Sequence, residues 1–303
     1  MLTVTVPDED SLARLSDLND RVELVLWDLF TPLPPDVAAR VEVVAIPHYC
    51  VQLERWKQLP SLPNLRYVML PSAGFEHAQP WIPEGVTLTN GRGVHSAATA
   101  ELAVGLLLAS QRGLPDAFEA QREGRWFAPR LSSLADRRVV VVGAGSLAQA
   151  IVDRLRPFEV QITQVARTAR GGVRGVDELV SLLPDADIVV LAVPGSASTR
   201  HLMDATALAA LPDGALVVNV ARGPVVDTDA LLAELMSGRL RAALDVTDPE
   251  PLPEDHPLWG APNTIITAHQ GGNTDAVYPR VAALIRRQLE HVLAGEPLEN
   301  VVS

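Results

Sequence analysis

Val139-Val140-Val141-Val142-Gly143-Ala144-Gly145-Ser146-Leu147-Ala148 is the stretch that decides the fold. Four successive valines read as a strand buried on both faces. The Gly-x-Gly-x-x-Ala that overlaps their end reads as a tight turn into an apolar helix. In that setting Gly143 makes the turn, Gly145 lets the main chain approach a diphosphate, and the small Ala148 lets helix pack on strand. Free N–H groups where the helix begins, at Ser146 and Leu147, favour negative charge. A glycine pattern alone is weak, because a ligand-free turn uses the same residues. The valine run before it and the helix after it give it weight.

Outward from this loop, short β-branched runs alternate with helix-length segments, the pattern of parallel α/β layers. Downstream the runs are residues 161–165, 188–193, 216–220, 242–246 and 264–267, with helical patterns such as 148–155 and 228–236 between them. Upstream they are residues 2–6, 22–27, 41–46 and 67–70. Long helical periodicities at 98–111 and 276–294 bracket the downstream block, and residues 112–138 read as an irregular arm. The expected fold is α/β. A doubly wound parallel sheet spans residues 98–272, and a smaller, discontinuous α/β domain is made from 1–97 and 273–303.

The 303 residues carry a net charge of −12, which argues against general affinity for nucleic acid or anionic membranes. No apolar run is long enough to span a bilayer, and the first residues have neither a basic flank nor an apolar signal core. A single cysteine, Cys50, leaves no internal disulfide and no thiolate metal site. The expectation is a cytoplasmic protein without a metal.

An acid usually follows the second strand of such a sheet, about twenty residues beyond the glycines, and holds the ribose hydroxyls of NAD. Here the strand runs Gln161 to Ala166 and continues Arg167-Thr168-Ala169-Arg170, with no acid between Glu159 and Asp177. Arg167, Thr168 and Arg170 would suit a 2′-phosphate, although both arginines could equally be ordinary surface charges. The cofactor expected is NADP or NAD, with NADPH favoured.

Three further segments carry polar residues just past a buried strand, at the ends where open α/β sheets bind ligands. They are Ala221-Arg222-Gly223-Pro224, Asp245 with Asp248-Pro249-Glu250-Pro251, and Ala268-His269-Gln270-Gly271. Singly each has an ordinary explanation as a salt bridge, a solvated carboxylate or a loop histidine. Jointly they supply what reduction of a 2-oxo acid needs. A planar guanidinium can hold the carboxylate and polarise the carbonyl. An imidazole donates a proton as hydride arrives. A carboxylate beside the imidazole favours its protonated form.

These runs also carry a resemblance. Val218-Asn219-Val220-Ala221-Arg222-Gly223-Pro224, Ala243-Leu244-Asp245-Val246-Thr247-Asp248-Pro249-Glu250-Pro251 and Ile266-Thr267-Ala268-His269-Gln270-Gly271-Gly272 resemble the signatures of the D-isomer-specific 2-hydroxyacid dehydrogenases, the family of glyoxylate/hydroxypyruvate reductases and phosphoglycerate dehydrogenases. Leu191-Ala192-Val193-Pro194 with Thr199, and Leu62-Pro63-Asn64-Leu65-Arg66 with Pro71-Ser72-Ala73-Gly74-Phe75, extend it from about residue 62 to the end. The resemblance implies an NAD(P)-dependent oxidoreductase with a Rossmann cofactor domain and a flavodoxin-like substrate domain. It implies Arg222 as substrate-binding arginine, Glu250 as partner of His269, and His269 as acid/base. Val193, Pro194 and Thr199 would lie near the cofactor ribose; Thr99, Val220, Ala221, Asp245 and Gly271 would lie near the nicotinamide. The N–H groups of Ser72, Ala73 and Gly74 would meet the substrate carboxylate. A homodimer would pack through residues 98–111 and the arm at Trp126-Phe127.

Two departures stand out: Ala268 replaces a proline, which is expected to loosen the histidine loop, and Glu159 replaces a glycine. Which 2-oxo acid is used stays open among glyoxylate, hydroxypyruvate, phosphohydroxypyruvate and branched forms. Pro47-His48-Tyr49-Cys50 and Gly91-Arg92-Gly93 are expected to choose. The rival reading is a dinucleotide-binding scaffold with little turnover, like the family's corepressors.

Overall fold

The computed structural model describes residues 1–48 and 53–302, without the side chains of residues 53 and 54. Tyr49 and Cys50, expected to take part in substrate choice, lie outside the described residues. The chain divides into two compact units, one of Met1–His95 with Asp275–Ser303 and the other of Ser96–Thr274.

In the first unit five parallel strands, β1 (Leu2–Val6), β2 (Val22–Leu26), β3 (Val41–Ala45), β4 (Tyr67–Met69) and β5 (Thr87–Thr89), pair in the order β2-β1-β3-β4-β5. That is the flavodoxin-like order of a doubly wound sheet. Each face has its own core. Val4, Val6 and Leu15 pack with Val281, Leu284, Ile285 and Leu289 of the helix Val277–Ala294. Val41, Val44 and Val68 pack with Trp56, Leu59 and Leu88 on the other face. The helix buries residues at spacings of three and four, and Gly295 ends it in the left-handed conformation. Burying each such aliphatic side chain contributes about 1.5–3 kcal/mol. β5 was not anticipated, since Thr-Leu-Thr offers one buried apolar residue and no period. It is held instead by pairing with β4 and by a bridge from Thr89 to Val301.

In the second unit β6 (Arg138–Val142), β7 (Gln161–Ala166), β8 (Arg174–Gly175), β9 (Ile188–Leu191), β10 (Leu216–Asn219), β11 (Arg241–Leu244) and β12 (Thr264–Ile266) form one parallel sheet. Its order is β12-β11-β10-β9-β6-β7-β8. The six strands read from the sequence are present, with the two-residue β8 added at the edge. The chain builds outward from β6 in one direction, then returns to β9 on its other side and builds the opposite way. That reversal opens a crevice at the C-terminal strand ends, beside the glycine loop.

One face of this sheet is covered by the helix Ser96–Gln111 lying on the helix Ser146–Leu155. Ala100, Ala103 and Leu107 meet Ile151, Leu155, Val139 and Val141 there. The other face buries Val140, Val189 and Val217 against Leu208, Leu231 and Leu235. One expectation is corrected: residues 112–138 are not irregular throughout, because Leu114–Arg122 is a helix. Gly113 breaks it from its predecessor at φ 56, Pro115 sits in its first turn, and Asp116 and Arg122 suit its two ends. With only Ala120 buried, it has no apolar stripe to reveal it.

Candidate active site

The parallel strands of the second unit deliver six loops to one edge. At the first, Gly143 has φ 137, and a Cβ there would lie 2.3 Å from the carbonyl oxygen of Ala192, so only glycine fits. Ala148 is fully buried under this turn. Gln164 Nε2 donates to the Gly143 carbonyl at 3.0 Å, a tie that the sequence reading missed. Gly145 caps the helix Ser146–Leu155 without a side-chain hydrogen bond, and nothing lies within 4 Å of where its Cβ would be. An uncapped helix start beside open space fits a diphosphate. Ser96 Oγ donates to Ser146 Oγ at 2.9 Å, while Leu147 is half-buried behind it.

After β7, Ala166 is half-buried and Arg167, Thr168 and Arg170 are exposed. Among the described residues neither arginine makes a side-chain ion pair. Mutual main-chain bonds between Arg170 and Val173 close the Gly171-Gly172 turn behind them. After β9, Val193 is half-buried and Pro194 exposed. The Thr199 hydroxyl is engaged inside its own loop. It donates to the Pro194 carbonyl (2.8 Å) and accepts the Ser196 amide (2.9 Å).

Arg222 follows β10 with a half-buried side chain, and its Nη1 donates to the Ala221 carbonyl at 2.7 Å. Val220 and Ala221 are buried. Asn219 braces this loop from inside: its Nδ2 donates to the Arg222 carbonyl and its Oδ1 accepts the Ala221 amide, both at 3.0 Å. A buried asparagine closing a valine strand was the visible signal for that role. A Cβ on Gly195 would lie 3.0 Å from Arg222 Cγ, so the absent side chain makes room for the arginine. Gly223 lies against the loop after β11, where a Cβ would lie 1.8 Å from the Thr247 carbonyl oxygen.

Glu250 Oε1 lies 2.5 Å from His269 Nδ1. The hydrogen bond to Glu250 raises the imidazole above its ordinary pKa, against burial and the Arg222 cation, which lower it. The same bond holds the Glu250 carboxylate below its usual range, while burial opposes. Nδ1 is thus committed to the carboxylate, and Nε2 is the nitrogen left to exchange a proton. His269 itself sits at φ 51, a left-handed conformation that costs a side-chain-bearing residue about 1 kcal/mol or more.

Asp245 holds that conformation. Its carbonyl accepts the His269 amide at 2.7 Å. Its buried carboxylate accepts Thr267 Oγ1 (2.7 Å), the Gln270 amide (2.8 Å) and the Gly271 amide (3.0 Å). These bonds tie down the loop in which Ala268 had suggested slack. Gly271 also packs on Thr99, with a Cβ position only 3.0 Å from Thr99 Cγ2. Ser72, Ala73 and Gly74 belong to the first unit, in the turn after β4. Among the described residues no cluster of three metal-ligating side chains occurs, and no helix is long and apolar enough to cross a membrane.

The D-isomer specific 2-hydroxyacid dehydrogenase NAD-binding domain profile matches residues 104–271. A D-3-phosphoglycerate dehydrogenase of Methanocaldococcus jannaschii is 35% identical over 73% of this chain, which spans 44% of that protein's length. The human glyoxylate reductase/hydroxypyruvate reductase is 32% identical over 99% of this chain and 96% of its own. Among solved structures, a D-isomer specific 2-hydroxyacid dehydrogenase from Xanthobacter autotrophicus Py2, in complex with NADPH and MES, superposes with a TM-score of 0.80. It is 30% identical, over 100% of this chain and 98% of that one. The chain belongs to the D-isomer specific 2-hydroxyacid dehydrogenase family of NAD(P)-dependent oxidoreductases.

Proposed function

We propose that this chain reduces small 2-oxo acids to D-2-hydroxy acids, and reverses the reaction, with NADPH favoured over NADH. The observation that carries the reading is the 2.5 Å pairing of His269 Nδ1 with Glu250, one strand end away from Arg222. A bound reduced nicotinamide supplies the hydride. Arg222 holds the 2-oxo acid and polarises its carbonyl, and His269 Nε2 gives the carbonyl oxygen a proton. Glu250 keeps His269 protonated to higher pH and fixes its tautomer. In the oxidative direction the same nitrogen takes the proton back.

The cofactor would be held by residues 98–272. Gly143, Gly145, Ser146 and Leu147 take the diphosphate, and Arg167, Thr168 and Arg170 the 2′-phosphate. Val193, Pro194 and Thr199 border the ribose; Thr99, Val220, Ala221, Asp245 and Gly271 border the nicotinamide. With its carboxylate so fully bonded to the histidine loop, Asp245 would serve the ring chiefly through its remaining Oδ2 lone pair. Residues 1–97 and 273–303 would form the substrate domain, where the Ser72, Ala73 and Gly74 amides take the carboxylate. NADPH in the Xanthobacter relative supports the cofactor preference. Turnover of a panel of 2-oxo acids with NADH and with NADPH tests the reading; tight cofactor binding without turnover would favour the scaffold instead.

A further inference from the structure

The turn after β4 has an unusual division of its main-chain groups. All four carbonyls from Pro71 to Gly74 are occupied from within the first unit. His95 Nε2 lies 3.0 Å from the Pro71 oxygen, and since a carbonyl only accepts, that nitrogen carries the proton. The Gly91 amide donates to Ser72 at 2.7 Å. Asn90 Nδ2 donates to Ala73 at 2.7 Å, and Ser72 Oγ to Gly74 at 2.7 Å. The N–H groups of Ser72, Ala73 and Gly74, by contrast, donate to no acceptor among the described residues. Three successive unused donors at a partly exposed turn are a set that an acceptor-only anion can satisfy.

The braces are themselves held. Asn90 is buried, its amide donates to the Asn300 carbonyl at 3.1 Å, and its Oδ1 accepts the Arg92 amide at 3.2 Å. The His95 ring stacks on His48, with centroids 5.2 Å apart and planes 21° apart, and Tyr278 meets His48 edge-on. Burial, with His95 beside it, pushes His48 down to about 4, so at neutral pH His95 stacks on an uncharged ring. Gly91 brings the brace close: a Cβ there would lie 1.9 Å from the Pro71 oxygen.

We infer that Asn90 and His95 are positioning residues, which by holding the Ala73 and Pro71 carbonyls present the Ser72, Ala73 and Gly74 amides to the substrate carboxylate. This rests on the proposed carboxylate role of that turn and adds the side chains that set it. Neither residue touches the substrate. Their loss would weaken acid binding while sparing the cofactor and the proton transfer.

The test uses the full chain, 15N-labelled and saturated with NADPH, titrated with oxamate, an unreactive mimic of a 2-oxo acid. The amide resonances of Ser72, Ala73 and Gly74 are expected to move in the wild type. Asn90→Ala and His95→Ala are expected to raise the oxamate Kd and the 2-oxo acid KM by about tenfold or more. KM for NADPH and kcat should stay within about threefold. His95→Gln, whose amide nitrogen can donate from nearly the same place, is expected to recover most of the loss. If Asn90→Ala does not fold, the His95 pair alone carries the test. Unmoved amides in the wild type would overturn the carboxylate reading, and this inference with it. Amides that move, but folded variants that bind oxamate as the wild type does, would leave that reading standing and overturn only the roles of Asn90 and His95. Equal losses in His95→Gln and His95→Ala, with NADPH affinity falling in step, would overturn them too.

Discussion

Asp245 grips the loop of His269 twice over, through its main-chain carbonyl on the His269 amide at 2.7 Å and through its carboxylate on residues either side of the ring. The left-handed His269 is thereby held by a neighbouring strand and not by its own preference. Asp245→Asn removes an acceptor oxygen and puts an NH2 with two donors in its place. It is expected to lower kcat by about tenfold or more, and to destabilise the fold by about 1–3 kcal/mol as loop amides lose their acceptor. Wild-type kcat and melting temperature in this variant would refute the grip.

His269→Ala is expected to leave NADPH binding intact and lower kcat by about 100-fold or more. The pH dependence follows from the sign of the shift. Glu250 raises the His269 pKa, and reduction needs the protonated ring. Activity therefore persists above the ordinary histidine range and falls as pH rises through the raised value. Glu250→Gln should move that fall to lower pH. A descending limb that stays in place would separate Glu250 from the proton-donating step.

Arg222→Lys keeps the charge and loses the planar pair of donors. A large rise in KM for the 2-oxo acid with a fall in kcat is expected. Steady-state kinetics showing a change in NADPH affinity alone would reassign the arginine to a structural role.

Arg167 and Arg170 stand exposed beyond β7, with Ala166 where an acid would repel a phosphate. Charge-assisted donors at such a rim contribute about 1–3 kcal/mol, or roughly ten- to a hundredfold in affinity. A higher kcat/KM with NADPH than with NADH is expected, eroded by Arg167→Ala and by added salt. Equal or better kcat/KM with NADH would sink it.

Leu114, Phe118, Leu131 and above all Trp126, which is 96% exposed, put apolar surface on the helix Leu114–Arg122 and the segment after it. Exposure of this kind suits a subunit interface. Light scattering should give about twice the 32.5 kDa of one chain, and Trp126→Glu should shift the mass towards one chain. A single-chain mass at micromolar concentration would rule out the dimer.

The strands of the second unit were legible because parallel strands covered on both faces leave unbroken apolar runs such as Val139-Val140-Val141-Val142. Arg222, Glu250 and His269 stood out as candidates because each lies in the loop that follows such a run. The bracing did not. Thr267 and Gln164 earn their roles from loops that only the sheet brings near, and no local period marks them. Glu159 was unreadable for a related reason. It ends the turn before β7 at φ 59, a left-handed position that suits glycine and that glutamate here adopts.

Gly223 touching Thr247 means that the arginine loop and the glutamate loop are joined skin to skin by peptide groups. The main-chain frame from which the guanidinium and the carboxylate project is then shared between the two loops. A variant library aimed at new 2-oxo acids would keep residue 223 without a side chain, and would keep Gly195, Asn219 and Asp245, which shape or brace the same loops. Any substitution at residue 223 would act on both functional groups at once.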